Sequence, residues 1–312
     1  MDSFMIAVRA VVPITLIIVL GVITKNRKVL SDRTFKDMTW IVFHYCLPLT
    51  LFMNIMNADL GAAADPKLIL FALAMLTAVV LLTMLALSRS QMKDTRKGVI
   101  VQAMYRSNFA ILGLPIVENI YGSANTGATS VLIAFVLPFF NIVSVLILQK
   151  YSGGKGDLKQ TVRNLLHNPM ILGAIAGFIW KFLHIPFPAF GGDLIQSFTK
   201  MTTPLSLFAL GGSFNMRSLK ANGKLLAVFD LINMIVMPVC VLGLAVMIGY
   251  RGVELVSLLV LFAGPTAIAS YAMSAEMGMD SELAAQIIVV TTLTVAVTVF
   301  LFIYFFGVLG LL

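Results

Sequence analysis

The chain has 312 residues, of which 59% are apolar and only 12% are Asp, Glu, Lys or Arg. A soluble domain needs about 25% charged residues to cover its surface, so this composition excludes a soluble globular protein. It also excludes a disordered chain, which requires low hydrophobicity and high charge. The sequence therefore predicts an integral membrane protein in contact with a lipid bilayer. The net charge of +8 is interpreted through its distribution along the chain, and no nucleic-acid partner is expected.

Ten apolar runs are candidates for membrane-spanning α-helices, each of which needs about 20 residues. We number them segments 1 to 10 in chain order. They cover residues 4–24, 39–57, 67–88, 98–121, 127–149, 168–184, 193–213, 225–250, 254–276 and 283–306. The predicted fold is an all-α integral membrane protein with ten transmembrane helices.

Basic residues are concentrated in alternate connections. Five lie between segments 1 and 2, four between segments 3 and 4, four between segments 5 and 6, and three between segments 7 and 8. Because positively charged loops stay in the cytoplasm, these four connections are predicted to be cytoplasmic. Both chain termini then lie on the extracytoplasmic side of the cell membrane.

The two halves of the chain repeat each other. The run Pro48-Leu49-Thr50-Leu51-Phe52 in segment 2 matches Pro204-Leu205-Ser206-Leu207-Phe208 in segment 7, at an offset of 156. Pro13 in segment 1 and Pro169 in segment 6 show the same offset. Since each half has five segments, an odd number, the second half is inserted upside down. We therefore expect two inverted five-helix repeats, 1–149 and 168–312, joined by a short basic cytoplasmic connection at 150–167.

Segments 4 and 9 are each interrupted by glycine and proline. The interruptions are Gly113-Leu114-Pro115 and Gly264-Pro265, at an offset of 150. Proline removes an N–H and clashes with the preceding turn, so each helix is expected to break or kink there. Freed N–H groups at half-helix N-termini attract anions, and paired broken helices are typical of secondary transporters. The alternative is a simple proline kink in a packed helix.

Enzymatic chemistry has no support in the sequence. Cys46 and Cys240 lie in apolar runs and His44, His167 and His184 are far apart, so no metal site is predicted. No nucleophile–base pair or phosphate-binding loop is recognisable. We expect neither enzyme activity nor a cofactor.

Segments 4 and 9 also carry a family resemblance. Segment 4 reads Tyr105-Arg106-Ser107-Asn108-Phe109-Ala110-Ile111-Leu112-Gly113-Leu114-Pro115-Ile116, followed by Tyr121-Gly122, and segment 9 contains Gly264-Pro265-Thr266-Ala267, followed by Ala275-Glu276 and Asp280. Over the whole chain, this sequence resembles the bacterial branch of the auxin efflux carrier family. The resemblance implies a scaffold of segments 1, 2, 6 and 7 and a transport domain of segments 3–5 and 8–10. It also implies that segments 4 and 9 cross at the substrate site.

The resemblance also suggests a substrate class and its ligands. Bacterial members are associated with small carboxylates such as malonate and malate, and plant members with the auxin anion. The key asparagine of the family, seven residues before the proline, corresponds to Asn108. Ser270 departs from the plant pattern, which has a second proline there. The candidate substrate-binding residues are Arg106, Asn108, Gly113, Leu114, Pro115, Gly264, Pro265, Thr266 and Ser270.

Several polar residues have two interpretations. Arg106, about two turns from the predicted cytoplasmic end of segment 4, either attracts an anion in a vestibule or pairs structurally. Glu276 and Asp230 either carry a coupling proton or sodium ion or lie at solvated helix ends. Asn108 either binds substrate or bonds a neighbouring helix. The pair Gly173-x-x-x-Gly177 is a close-packing face, either within the chain or at a homodimer contact of scaffold helices.

The function expected from these features is secondary transport of a small mono- or dicarboxylate by alternating access where segments 4 and 9 cross. One alternative is an ion-coupled antiporter on a related scaffold, although residues 127–149 lack the Asp or Glu that sodium/proton exchangers of that kind require in segment 5. The other alternative is an uncoupled channel or sensor.

The topology can be tested with reporter tags. A tag beside Lys93 should report the cytoplasm, and tags beside Ser123 and after Leu312 should report the outside, because the basic connections orient the chain. Labelling of single introduced cysteines with an impermeant reagent checks each position. A cytoplasmic C-terminus would contradict the inverted five-plus-five arrangement.

Overall fold

In the computed structural model of the chain, residues 2–57, 65–122, 125–153, 167–183, 189–213 and 216–312 are described. This part of the chain is helical and contains no β-strand. Most of the predicted 150–167 connection lies outside the described residues, as does His184. The helices are α1 (Asp2–Asn26), α2 (Asp32–Ile41), α3 (Leu47–Asn57), α4 (Pro66–Ser88), α5 (Asp94–Tyr105), α6 (Phe109–Tyr121), α7 (Gly127–Tyr151), α8 (Pro169–Phe182), α9 (Ala189–Ser213), α10 (Met216–Ala221), α11 (Gly223–Leu231), α12 (Met237–Ile248), α13 (Gly252–Ala263), α14 (Ala269–Glu276) and α15 (Ser281–Val308).

Five stretches have the length and apolar composition of membrane-crossing helices, as expected of a membrane protein. They are Asp32–Met56, Pro66–Ser88, Gly127–Tyr151, Gly223–Ile248 and Ser281–Val308. They coincide with segments 2, 3, 5, 8 and 10. Shorter apolar helices occupy Val12–Asn26, Phe109–Tyr121, Pro169–Phe182 and Gly252–Ala263.

Segment 2 begins seven residues earlier than the sequence predicted. The Ser31 side chain accepts a hydrogen bond from the Thr34 N–H and caps the new first turn. The added turns are polar, so hydropathy alone could not detect them. Within this segment, Val42–Cys46 forms a π-helical turn, and a second π-helical turn at Ile232–Val236 joins α11 to α12.

Segment 9 is broken where its Gly-Pro pair predicted. Helix α13 ends at Ala263 and α14 begins at Ala269, which confirms the interruption at Gly264 and Pro265. Gly264 has an extended backbone, with φ −70° and ψ 153°. A Cβ added at Gly264 would lie 2.5 Å from the Val260 carbonyl oxygen and 3.3 Å from the Cβ of Ser107, so a side chain would clash with the end of α13 and press on segment 4.

Segment 4 is also broken, but the predicted position is wrong. The gap between α5 and α6 is Arg106–Asn108, and α6 runs continuously through Gly113, Leu114 and Pro115. Gly113 serves packing instead. A Cβ there would lie 2.8 Å from Cε2 of Phe109, one turn earlier, and 3.3 Å from Cγ2 of Thr129. Pro115 costs α6 one internal hydrogen bond and does not end it.

Glycines bring two helix pairs into close backbone contact. In the pair of α1 and α9, a Cβ at Gly21 would lie 3.1 Å from the Cα of Gly211. In the pair of α3 and α8, a Cβ at Gly177 would lie 3.1 Å from the Cβ of Ile55. Gly177 follows Gly21 by 156 residues, and Gly211 follows Ile55 by 156.

The Gly173-x-x-x-Gly177 face therefore packs inside the chain. A Cβ at Gly173 would lie only 2.6 Å from the carbonyl oxygen of Pro48. Of the two interpretations of this motif, the structure supports the intramolecular one. Helix α3 covers these glycines, and a homodimer contact of the scaffold helices stays a prediction.

The glycine contacts predict a difference between two matched alanine substitutions. Gly211→Ala should lower thermal stability by about 1–3 kcal/mol, since its Cβ would press on the Ile18 carbonyl group. Gly243→Ala, in α12 with nothing within 4 Å of its Cβ, should be neutral or mildly stabilising. Thermal unfolding of the purified variants in detergent measures both, and equal midpoints would contradict the packing argument.

Candidate functional site

The breaks in segments 4 and 9 are joined to each other by main-chain hydrogen bonds. The Asn108 N–H donates to the Pro265 carbonyl oxygen at 2.7 Å, and the Ala267 N–H donates to the Arg106 carbonyl oxygen at 2.9 Å. Together they form an isolated antiparallel bridge between Ser107 and Thr266. This bridge relates the two halves at an offset of 159, closer to the 156 of the other pairs than the 150 of the two prolines.

Side chains replace the helical hydrogen bonds lost at the bridge. The Leu261 carbonyl would normally accept from residue 265, but Pro265 has no N–H. The Ser107 hydroxyl donates to that carbonyl instead, at 2.6 Å. In the same way, the Thr266 hydroxyl donates to the Ala103 carbonyl at 3.3 Å. Each broken segment thus satisfies polar groups of the other, which a membrane interior demands.

Segments 8 and 10 supply further hydrogen bonds to the two broken segments. The Asn233 amide, in the second π-helical turn, donates to the Met104 carbonyl at 3.0 Å. The Thr266 N–H donates to the Thr291 hydroxyl of α15 at 3.1 Å. The bridge is therefore supported from both sides, and Thr266 holds the break in place.

Arg106, the first residue of the segment 4 break, is 5% exposed. Its Nη1 donates to the Ser144 hydroxyl at 2.8 Å and approaches the Phe140 carbonyl at 3.3 Å and the Met273 sulfur at 3.1 Å. Its Nη2 donates to the Asn141 side-chain oxygen at 2.8 Å. All these partners are neutral, so they orient the guanidinium without balancing its charge.

No carboxylate pairs with Arg106 in the described part of the chain. The ion pairs there are Lys25–Asp32, Arg96–Asp280 and Lys97–Asp94. The Arg106 Nε is buried without an acceptor, and one of its two Nη2 hydrogens also has none among these residues. A buried, unbalanced charge is costly, and this one lies beside a cavity.

Arg106 lies farther from the start of its helix than the sequence predicted. Helix α5 begins at Asp94, and its twelve residues span about 18 Å. The sequence placed the start of this helix at residue 98, after its polar first turn. The guanidinium therefore lies at the break itself.

A cavity of about 140 Å³ lies between the breaks and helices α3, α7, α8 and α9. An engineered cavity of about 150 Å³ binds benzene, so this volume accommodates a compact ligand. Among the described residues that line it, Arg106 alone is charged, and the polar remainder is neutral. The neutral polar lining consists of Thr50, Asn54, Ser107, Asn108, Asn141, Thr202, Thr203 and Ser206.

Asn108 precedes α6 at the edge of this cavity. Its side chain makes no hydrogen bond with any described residue and does not cap the helix, so its amide is available to a ligand. The next N–H groups, of Phe109 and Ala110, have no acceptor among those residues either. The same is true of the Ile268 and Ala269 N–H groups at the start of α14. Ala110, Ile268 and Ala269 line the cavity, so both half-helix N-termini border it.

The cavity-lining hydroxyls of α3 and α9 were not among the residues predicted from the sequence. Thr50 and Thr202 approach each other at 2.9 Å between hydroxyl oxygens, and the buried Ser206 hydroxyl has no partner in the described residues. One signal was available, because Thr50 and Ser206 are the single polar positions of the repeated pentapeptide in segments 2 and 7.

Of the nine predicted substrate-binding residues, Arg106 and Asn108 line the cavity. Gly264, Pro265 and Thr266 belong to the bridge beside it. Ser270 lies in the first turn of α14 with its buried hydroxyl unpartnered among the described residues. Gly113, Leu114 and Pro115 lie along α6, outside the lining.

The two candidate coupling carboxylates lie away from the cavity. Asp230 accepts a hydrogen bond from the Thr294 hydroxyl at 2.8 Å, between α11 and α15. Glu276 is the partly buried last residue of α14. Neither residue lines the central cavity.

Comparison with known proteins places this architecture in a family. A family model described as "Membrane transport protein" matches residues 6–303. The uncharacterized transporter MJ1031 of Methanocaldococcus jannaschii is 22% identical over 298 residues, which cover 92% of this chain and 95% of that protein. The uncharacterized transporter YfdV of Escherichia coli K12 is 21% identical over 300 residues, covering 94% and 95%. The chain belongs to the auxin efflux carrier family of membrane transport proteins.

Proposed function

We propose that this protein is a secondary transporter of a small organic anion, bound at the bridge between segments 4 and 9. The observation that carries the proposal is Arg106, a buried guanidinium beside the cavity that no carboxylate neutralises in the described residues. A bound carboxylate would supply the missing charge. Charge-assisted hydrogen bonds to guanidinium are among the strongest in proteins.

The rest of the cavity suits such an anion. The Asn108 amide and the N-terminal N–H groups of α6 and α14 are donors that add no further charge. The Ser206 hydroxyl of α9, which has no partner among the described residues, supplies a further neutral donor. The volume of about 140 Å³ favours a compact mono- or dicarboxylate such as malonate or malate over a large ligand.

The transport mechanism we propose is alternating access between two groups of helices. The scaffold consists of segments 1, 2, 6 and 7. Glycine contacts pack α1 against α9 and α3 against α8 within it. Segments 3–5 and 8–10 form the moving domain, held together at the bridge. The offset of 156 shared by motifs and glycine contacts supports two inverted repeats, with both termini extracytoplasmic in the cell membrane.

Coupling to a proton or a sodium ion is part of the same proposal, with Asp230 and Glu276 as candidate carriers. Both carboxylates are partly buried, and the Asp230 side chain has one hydroxyl partner, Thr294, among the described residues. Both lie on helices of the proposed moving domain. Such positions suit groups that bind a cation in one orientation and release it in the other.

Arg106→Gln should separate binding from stability. We expect the affinity for malonate or malate to fall about 10- to 100-fold, because the anion loses one charged partner. The ligand-free protein should be as stable as wild type or more stable, because an unbalanced buried charge is gone. Titration calorimetry and thermal unfolding of the purified protein test both, and Arg106→Lys should show intermediate affinity. Unchanged affinity with lowered stability would assign Arg106 a purely structural role.

Asn108→Ala should abolish most carboxylate uptake while leaving a folded protein. The substitution removes an amide that bonds no described residue, so little packing is lost. Uptake of labelled malonate and malate into proteoliposomes, with imposed proton, sodium or voltage gradients, measures the effect. Asn125→Ala, at an exposed turn before α7, is the matched control and should transport normally. Normal uptake by Asn108→Ala would remove this residue from the site.

A further inference from the structure

A second cavity, unrelated to the central one, opens on the outer surface of the helices. It is an apolar groove of about 470 Å³ between α4, α5, α11 and α12. Leu82 and Val228 on its rim are 64% and 48% exposed, while Met104 and Phe229 form its buried floor. Because α4 belongs to one membrane-crossing stretch and α11 and α12 to another, the groove faces lipid.

One end of this groove becomes polar and basic. An adjoining cavity of about 430 Å³ shares Met92, Leu225 and Val228 with the groove. Its remaining wall includes Arg96, Asn222 and Lys224. These residues lie at the starts of α5 and α11, next to the connections that the basic-residue distribution places in the cytoplasm.

The charges at this end are not balanced. The Arg96 Nη2 donates to the Asn222 side-chain oxygen at 2.7 Å, and its Nε lies 3.5 Å from a carboxylate oxygen of Asp280. Asp280 thus offsets Arg96. Lys224 is exposed and has no ion-pair partner in the described part of the chain. The end therefore carries a net positive charge directly above an apolar groove.

We propose that this composite groove is a binding site for an anionic phospholipid. An acyl chain lies in the apolar groove, and the phosphate contacts Lys224 and Arg96 at the cytoplasmic surface. Basic pockets between transmembrane helices on the cytoplasmic side recognise lipid headgroups in this way. A zwitterionic phospholipid brings the same phosphate with a compensating cation and so gains less from the basic end, and a free phosphate matches the basic end alone.

The site joins the two halves of the chain. Helices α4 and α5 come from the first half, and α11 and α12 from the second. None of its lining residues lines the central cavity. The inference is therefore independent of the anion-transport proposal, and its test gives a separate result.

Cys240 provides a built-in reporter of occupancy. Its thiol is exposed in the groove, whereas Cys46, the other cysteine, is buried. The full-length protein in detergent is mixed with phosphatidylglycerol or phosphatidylcholine, and alkylation of Cys240 by N-ethylmaleimide is followed by mass spectrometry. Phosphatidylglycerol should slow alkylation about fivefold more than phosphatidylcholine, the factor expected for one lysine at a lipid surface. Glycerophosphate should give no protection.

Matched lysine variants test the headgroup contact. Lys224→Gln should remove the preference for phosphatidylglycerol, Lys224→Arg should retain it, and Lys36→Gln, an exposed lysine of α2, should leave it unchanged. Because Lys224 is exposed and unpaired among the described residues, its variants should unfold at the wild-type temperature. Equal protection by both lipids, no protection by either, or a preference that survives Lys224→Gln would each overturn the proposal.

Discussion

Polar main-chain groups in a membrane interior must find partners within the protein, and the centre of this molecule is organised by that requirement. Segments 4 and 9 are each interrupted beside the cavity. Each interruption leaves main-chain carbonyl and N–H groups without helical hydrogen-bond partners at both ends of the gap. The two gaps satisfy each other through Asn108 with Pro265 and Ala267 with Arg106. This reciprocal pairing places the N-termini of both half-helices, α6 and α14, beside the central cavity.

Arg106 adds a second constraint on top of the first. Its carbonyl is part of the bridge, and its guanidinium is held by α7 and by Met273 of α14. Arg106 therefore takes part both in the main-chain bridge and in the charge of the cavity. The protein keeps a cation at a site where only neutral groups surround it in the described structure. Such an arrangement is costly for the empty protein and favourable once an anion arrives.

Composition and the length of the apolar runs were sufficient for the helical membrane class, and the Gly-Pro pair located the break in segment 9. The break in segment 4 was placed too late, at Pro115. Proline is a strong local signal, but α6 tolerates one inside it, whereas the break at Arg106–Asn108 depends on hydrogen bonds to segment 9 that local sequence does not encode. The start of segment 2 was missed because its cap and first turns are polar. Thr50 and Ser206 were visible as repeated residues, yet only the folded chain shows that both reach the cavity.

The two hydrogen bonds that join the breaks connect main-chain atoms, and this has an evolutionary consequence. Main-chain hydrogen bonds place few demands on side-chain identity. The demands at the bridge fall on its own residues, which are Gly264, Pro265, and Ser107 and Thr266 with their hydroxyls bonded to the opposite segment. Substitutions at cavity-lining positions such as Thr50, Asn54 or Ser206 can therefore accumulate without disturbing the geometry at the centre. The same fold can in this way change its ligand as relatives diverge, because the bridge is kept while the residues that line the cavity are substituted.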